Sequence, residues 1–323
     1  MRIMPPTAVY LAWALLSAPL CLAQKPRQVF TEAHYPGGVT AMAFSPDGKR
    51  LASGGLFGGL QVRDLSSGKK YPGPEIIAWC LAYHPGGKLI ATGARDGAIT
   101  LWDADSLNPR KTLKGHTDKV WALSFSSTGK LLASASSDKT VKLWDIDTGK
   151  EKDTLRHPHC VYEAAFVKGD KLLATGSDTL RLWDVATGKE TASLKPKGSD
   201  EIGLLAVSPD GKTVAFAPDG EKAKPPVVLW DIHTGCQRPG PDLEGEVASS
   251  LAFSPDGKWL AVGVTDQALL WSVGEGKESA VFKGHYGPPN ILTFSPDSGT
   301  LAASDYEGSI RLWDVKAQAK PGR

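Results

Sequence analysis

One short string returns along this chain at a nearly fixed distance. "ITLWDADS", "VKLWDIDTGK", "LRLWDVATGK", "VVLWDIHTG", "ALLWSVGEGK" and "IRLWDVKA" carry Trp102, Trp144, Trp183, Trp230, Trp271 and Trp313, and an earlier copy, "LQVRDLSSGK", has Arg63 in the Trp position. Counted from Arg63, the intervals are 39, 42, 39, 47, 41 and 42 residues. Such a period means one supersecondary unit copied along the chain, each copy needing its neighbours to bury its apolar faces. Six of the ten Trp occupy this one position, so Trp is a framework residue here. The copies fill nearly all of the 323 residues, which predicts one domain over 24–323.

The unit reads as four short strands. In the third copy, "KVWALSF" (Lys119 to Phe125), "KLLASAS" (Lys130 to Ser136), "VKLWDI" and "EKDTL" are separated by the turns "SSTGK", "SDKT" and "DTGK". Turn signals this close together predict an antiparallel sheet. The first turn recurs as "SPDG" at Ser45, Ser208 and Ser254 and as "SPDS" at Ser295, where Pro presets one turn position and Asp-Gly accepts the next. Strands such as "AMAF", "ILTF" and "LLAVS" are apolar on both faces. A small sheet buried on both faces needs a sheet on each side, which radial repetition supplies. The expected fold is all-β: a seven-bladed β-propeller of four-stranded antiparallel blades.

The Trp-Asp pairs, Gly115-His116, Gly284-His285 and the turn before each "LW" resemble the WD40-repeat family over roughly residues 34–315. The resemblance implies a hydrogen-bonded tetrad within a blade. Blade three carries all of it, as His116, Ser134, Asp138 and Trp144. Blade two keeps Thr92, Asp96 and Trp102 without a His. Blade four keeps Thr175, Asp178 and Trp183. Blade seven has His285 and Trp313, with Ala303 and Glu307 at the other places. Blade one has His34 and Ser53 but Arg63, and blade five replaces the turn with "APDGEKAKPP". After Trp313 the chain is too polar and Pro-broken for a fourth strand, whereas "PRQVFTEAH" matches "ESAVFKGH". Residues 28–32 are therefore expected to complete the last blade and close the ring.

Residues 1–23 have another layout. One Arg precedes the apolar run Ala8 to Leu16, and small residues end at Ala23. This predicts a signal peptide and an exported protein, periplasmic or extracellular, since the run is too short for an ordinary spanning helix. An uncleaved anchor and a lipoprotein signal on Cys21 are the alternatives; Leu20 is bulky for the second. No transmembrane span is expected in the mature chain. Without Cys21, three Cys remain: Cys80 and Cys160 at apolar strand positions and Cys236 in a turn, which predicts free thiols rather than a disulfide framework.

A formal net charge of +2 with interspersed acids and bases argues against a nucleic-acid surface. No Gly-x-Ser-x-Gly elbow or His-Glu-x-x-His motif occurs. "GKT" at Gly211 lacks the upstream Gly of a phosphate loop, and "DIDTG" lacks the further ligands of a calcium loop. "HPHC" (His157, His159, Cys160) offers zinc-type ligands without a second cluster. No metal or cofactor is expected.

One residue per blade, just past the bend into the first strand, faces the upper mouth in this fold: Thr40, Trp79, Trp121, Tyr162, Gly203, Ser249 and Asn290. Blades two to four thus supply three consecutive aromatics, with Lys119, Arg95 and Ser137 nearby. Such rings anchor interfaces, or they pack on one another in the channel wall. The expected function is a non-enzymatic scaffold binding a protein or peptide through this face, as a monomer or within a complex. The alternative is a propeller enzyme, a hydrolase or redox protein, using the central channel.

Overall fold

The computed structural model describes residues 26–31, 38–56, 59–196, 201–218, 227–285, 287–305 and 307–316. Among the described residues, twenty-eight strands form seven four-stranded antiparallel sheets, one per repeat. In blade three the strands are Val120–Phe125, Leu131–Ser136, Thr140–Asp145 and Glu151–Arg156, from the channel outward. No helix among the described residues is long and apolar enough to cross a membrane.

The last sheet is built from both ends of the chain. Ile291–Phe294, Thr300–Ser304 and Ser309–Asp314 are joined by Gln28–Thr31, which pairs antiparallel with Ser309–Asp314 in the register Val29 to Arg311 and Phe30 to Ile310. Residue 32 of the expected closing segment, the signal segment 1–23, His34 and most of the blade-five insertion lie outside the described residues.

The apolar core is divided into layers between blades. One layer joins Ile99, Leu101 and Leu113 of blade two to Leu132 and Trp144 of blade three; the next joins Val141 and Leu143 of blade three to Leu173 and Trp183 of blade four. Each repeated Trp packs against the blade before it, which explains a Trp in so polar a string: the ring is a wedge between sheets, and the polar neighbours form rims. Trp144 and Trp313 are each only 1% exposed. Truncating such a wedge costs about 3–5 kcal/mol. Blade one departs because its Trp position faces the closure seam. There the Arg63 guanidinium stacks 4.5 Å from the Phe30 ring of the closing strand. A cation on an aromatic face takes the place of the indole.

The lower turns repeat the same chemistry. Ser45 Oγ donates to Asp47 Oδ1 at 2.6 Å, the Gly48 N–H donates to the Ser45 carbonyl at 2.8 Å, and Gly48 takes φ 70°. The Ser45 hydroxyl and the Lys49 amide hold the Asp47 carboxyl below the usual range. Asp170 and Ser298, each at φ 57°, put a side chain where this first turn elsewhere has Gly. Each reaches back to the preceding blade: Ser127 N–H and Oγ donate to Asp170 at 2.8 and 2.6 Å, and the Asp256 N–H donates to Ser298 Oγ at 3.0 Å.

Cys80 is buried on the inner strand Cys80–Tyr83, and Cys236 is exposed in a turn. Cys160 is not on a strand. It lies in the link between Glu151–Arg156 and Glu163–Phe166. All three thiols are free.

Candidate partner-binding site

The seven mouth positions are structurally equivalent, but they do different things. Amide N–H groups of Trp79, Tyr162, Ser249 and Asn290 each donate to the partner carbonyl on the second strand of their blade, at 2.8–3.0 Å. Blades one, three and five have a β-bulge at Thr40, Trp121 and Gly203. Small polar side chains here tie adjacent blades. Thr40 Oγ1 donates to the Ala78 carbonyl at 2.7 Å, Ser249 Oγ to the Pro289 carbonyl at 2.9 Å, and Asn290 Nδ2 to the Val39 carbonyl at 3.3 Å. In blades two to four the ties are replaced by rings.

Those rings form a continuous half-buried cluster. Trp79 and Trp121 meet edge to face with centroids 5.7 Å apart, and Trp121 meets Tyr162 at 5.7 Å. Trp121 Nε1 donates to Ser137 Oγ at 2.7 Å. Trp79 Nε1 is enclosed with no acceptor. The Lys119 ammonium lies 3.5 Å from the Trp79 centroid and 3.6 Å from the Trp121 centroid. Burial, then the nearby charge of exposed Arg95, holds this ammonium below the usual lysine range. The rings pack on one another, and each remains half-buried. All six residues singled out for this surface come from the upper turns and inner strands of blades two to four. Ile77, 49% exposed in the upper link before Trp79, extends the patch and escaped sequence reasoning. Its neighbour Ile76 is half-buried against the core, so an apolar pair gave no sign of which residue faces out.

Beneath this face, hydroxyl bridges brace the same blades. In blade three, Trp144 Nε1 donates to Ser134 Oγ at 2.8 Å, His116 Nε2 lies 2.7 Å from that oxygen, and His116 Nδ1 lies 2.7 Å from Asp138 Oδ2. A proton on Nδ1 directed at Asp138, with Nε2 accepting from the Ser134 hydroxyl, fits these contacts. Burial opposes the Asp138 charge, but hydrogen bonds from His116 and Thr140 outweigh it and hold the carboxyl well below its usual range. In blade two, Trp102 Nε1 donates to Thr92 Oγ1 at 2.8 Å, while Asp96 is exposed and caps the Ala98 N–H.

Blade four contains His157, the first of the zinc-type residues of "HPHC". His157 is buried. Its Nε2 lies 2.9 Å from Thr175 Oγ1, which also accepts from Trp183 Nε1 at 2.9 Å, and its Nδ1 lies 3.2 Å from the Leu155 carbonyl. Both ring nitrogens are committed, so His157 is a framework residue. The missed signal was position: His157-Pro158 stands where other repeats have Gly-His. Asp178 does not join this His because Arg181 takes it, at 3.0 Å. Blade seven repeats the substitution: Arg311 pairs with buried Asp305, and Glu307 is exposed rather than the acidic member of the network. With Ala303 in the hydroxyl position, Trp313 Nε1 and His285 Nε2 are both buried without a partner.

Among the described residues no cluster of three or more His, Cys, Asp or Glu has the arrangement of a metal site. The Asp145 carboxylate of "DIDTG" accepts from the Thr148 N–H at 2.8 Å and its hydroxyl at 2.7 Å, which spends it on the turn.

Comparison with known proteins agrees with the propeller fold. A family model described as the IFT122 first beta-propeller matches residues 77–321, and one described as WD domain, G-beta repeat, matches residues 24–56. The chain belongs to the WD40-repeat β-propellers. Among its relatives are the target of rapamycin complex subunit wat1 of Schizosaccharomyces pombe, 33% identical over 36% of this chain and 36% of the relative, and the small ribosomal subunit protein RACK1y of Oryza sativa, 32% identical over 35% and 34%. The nuclear distribution protein nudF of Aspergillus niger is 30% identical over 74% of this chain and 50% of its own length. The WD40 chain thus spans about a third of the length of the first two relatives and half of the third. Within the WD40 framework, the mouth position is aromatic in blades two to four and small or polar in the other blades of this chain.

Proposed function

We propose that this protein is a non-enzymatic platform that binds a protein or peptide through the upper mouth of blades two to four. The observation that carries the reading is the half-buried run Trp79, Trp121 and Tyr162, flanked by exposed Ile77 and Arg95. Rigid aromatic rings lose little entropy on contact and supply large apolar area, which is what interface anchors require. The braced framework beneath keeps them in place. Relatives named as a complex subunit and as a ribosomal subunit protein support the reading by analogy. The enzyme alternative gains no support from the candidate groups. His116 and His157 are spent inside blades, and Asp145 on a turn.

Export is part of the same reading. Arg2, the apolar run Ala8 to Leu16 and the small residue Ala23 support a signal peptide. The mature chain then begins at Gln24, with the closing strand intact, and N-terminal sequencing of the purified protein checks it.

Affinity capture with wild type and with a Trp79→Ala, Trp121→Ala, Tyr162→Ala variant of unchanged secondary structure tests the function. A partner retained by wild type and lost by the variant supports the mouth as the site. A partner retained equally by both contradicts it.

A further inference from the structure

An aromatic mouth could accept many kinds of partner, and the charges around it narrow the choice. The angle between the Trp79 and Trp121 faces is the kind of place where a partner's cation would lodge. Here it is already filled by the chain's own ammonium, with Lys119 Nζ 3.5 and 3.6 Å from the two centroids. That ammonium is half-buried and makes no ion pair among the described residues. Arg95 is exposed beside it and is likewise unpaired among the described residues. The Trp79 indole N–H is buried with no acceptor. Among the neighbouring carboxyl groups, Asp118 accepts from the Lys119 backbone N–H at 2.7 Å and its charge favours the Lys119 ammonium, Asp96 caps Ala98, and Glu163, next to Tyr162, is pushed up to about 8 by burial and so adds a donor rather than a charge at neutral pH. The cluster therefore offers donors in excess of acceptors.

Across the ring the balance is reversed. The upper links of blade six expose Asp242, Glu244, Glu246 and Asp266 beside Val247, which is 60% exposed. A chain segment crossing the mouth meets cations at blades two and three and carboxylates at blade six.

We infer that the aromatic mouth recognises an acidic peptide segment, with a partner carboxylate received between Lys119 and Arg95 and an adjacent apolar side chain laid on Trp121 and Tyr162. This rests on the interaction reading above and specifies its partner chemistry. A carboxylate supplies the acceptors that two cations lack, and a pairing with part of its solvent removed is stronger than an exposed one. An incoming cation would have to expel Lys119 and then sit beside Arg95, so basic segments are disfavoured. Screening of the exposed Arg95 contribution makes binding weaken as salt rises.

The test uses the full chain and pools of short, end-capped peptides of random sequence with Glu, Gln or Lys fixed at the centre. Retention on the immobilised protein is read by mass spectrometry. The wild type is expected to favour the Glu pool over the Gln pool by about tenfold, the effect of one charge-assisted contact. Lys119→Met and Arg95→Gln should each remove most of that preference, and Lys119→Arg should keep it. Arg95 is exposed, so its variant remains informative if Lys119→Met does not fold. Equal retention of Glu and Gln pools, or preference for the Lys pool, overturns the acidic assignment and leaves the interaction reading standing. Retention of no pool by folded wild type overturns the acidic assignment and also counts against the interaction reading.

Discussion

Ser134 Oγ receives the indole N–H of Trp144 at 2.8 Å while lying 2.7 Å from His116 Nε2, so one buried hydroxyl settles two polar groups between sheets. Ala303 occupies the same register in blade seven, opposite Leu292 and Arg311 as Ser134 is opposite Leu123 and Lys142. The two partners there, Trp313 Nε1 and His285 Nε2, are left without one. Restoring the hydroxyl with Ala303→Ser should stabilise the protein by about 1 kcal/mol. Ser134→Ala should cost about 2–4 kcal/mol, because two buried groups lose their partner at once. Denaturant midpoints check both; a destabilised Ala303→Ser would contradict this account of the network.

Acid should weaken the fold through two histidines. Burial, with Arg181 beside one and Arg311 beside the other, pushes His157 and His285 down to about 4. The folded state then holds both rings neutral while the unfolded chain, with its ordinary value near 6.5, takes up protons first. The stabilisation from each is complete above about pH 6.5 and falls by about 1.4 kcal/mol per pH unit down to about pH 4. Melting temperature followed from pH 7 to 4 should drop, and His157→Gln should reduce the slope. A flat profile over that window would contradict the buried neutral rings.

Asp170 sits at φ 57°, where Gly would be unstrained, yet Asp170→Gly should destabilise. Relief of the backbone conformation is worth about 1 kcal/mol. The loss is larger, because the Ser127 N–H and hydroxyl both lose a carboxylate, at about 1.5–3 kcal/mol for a charged acceptor. Equilibrium unfolding of the variant measures the net sign, and a stabilised variant would show that the tie between blades three and four is worth less than the strain.

Thiol reactivity should follow depth in the blades. Cys236 is exposed, Cys160 half-buried and Cys80 buried, with burial pushing the Cys80 thiol far up. Timed labelling with a maleimide should modify Cys236 first, Cys160 more slowly and Cys80 only on unfolding. Early labelling of Cys80 would mean that the layer between blades two and three opens in the native state.

The framework was legible because repetition multiplies a weak signal. The Trp interval, the Ser-Pro-Asp-Gly turns and the match of "PRQVFTEAH" to "ESAVFKGH" are local features that recur, and strand pairing follows from them. What escaped depended on side-chain choice between near neighbours. His157 was hidden because Pro158 alters the link that carries it, and Asp305 because Arg311, not the spacing of the acids, selects its partner. Arg63 was readable as a missing Trp, but its stacking on Phe30 joins residues from different blades. The position of Lys119 in the angle between two indoles likewise depends on the relation of two blades, which no single repeat encodes.

Site-directed photocrosslinking in the producing cell tests the claim of an upper binding face most directly. A photoreactive residue would replace Ile77 or Lys139 on the upper face, or Thr187 in a lower turn, each in an otherwise wild-type chain. The predicted result is a discrete protein adduct from the upper positions, none from Thr187, and loss of the adduct when Trp79→Ala and Trp121→Ala are added without change in melting temperature. Adducts from Thr187 alone, or upper adducts indifferent to the two Trp substitutions, would contradict it.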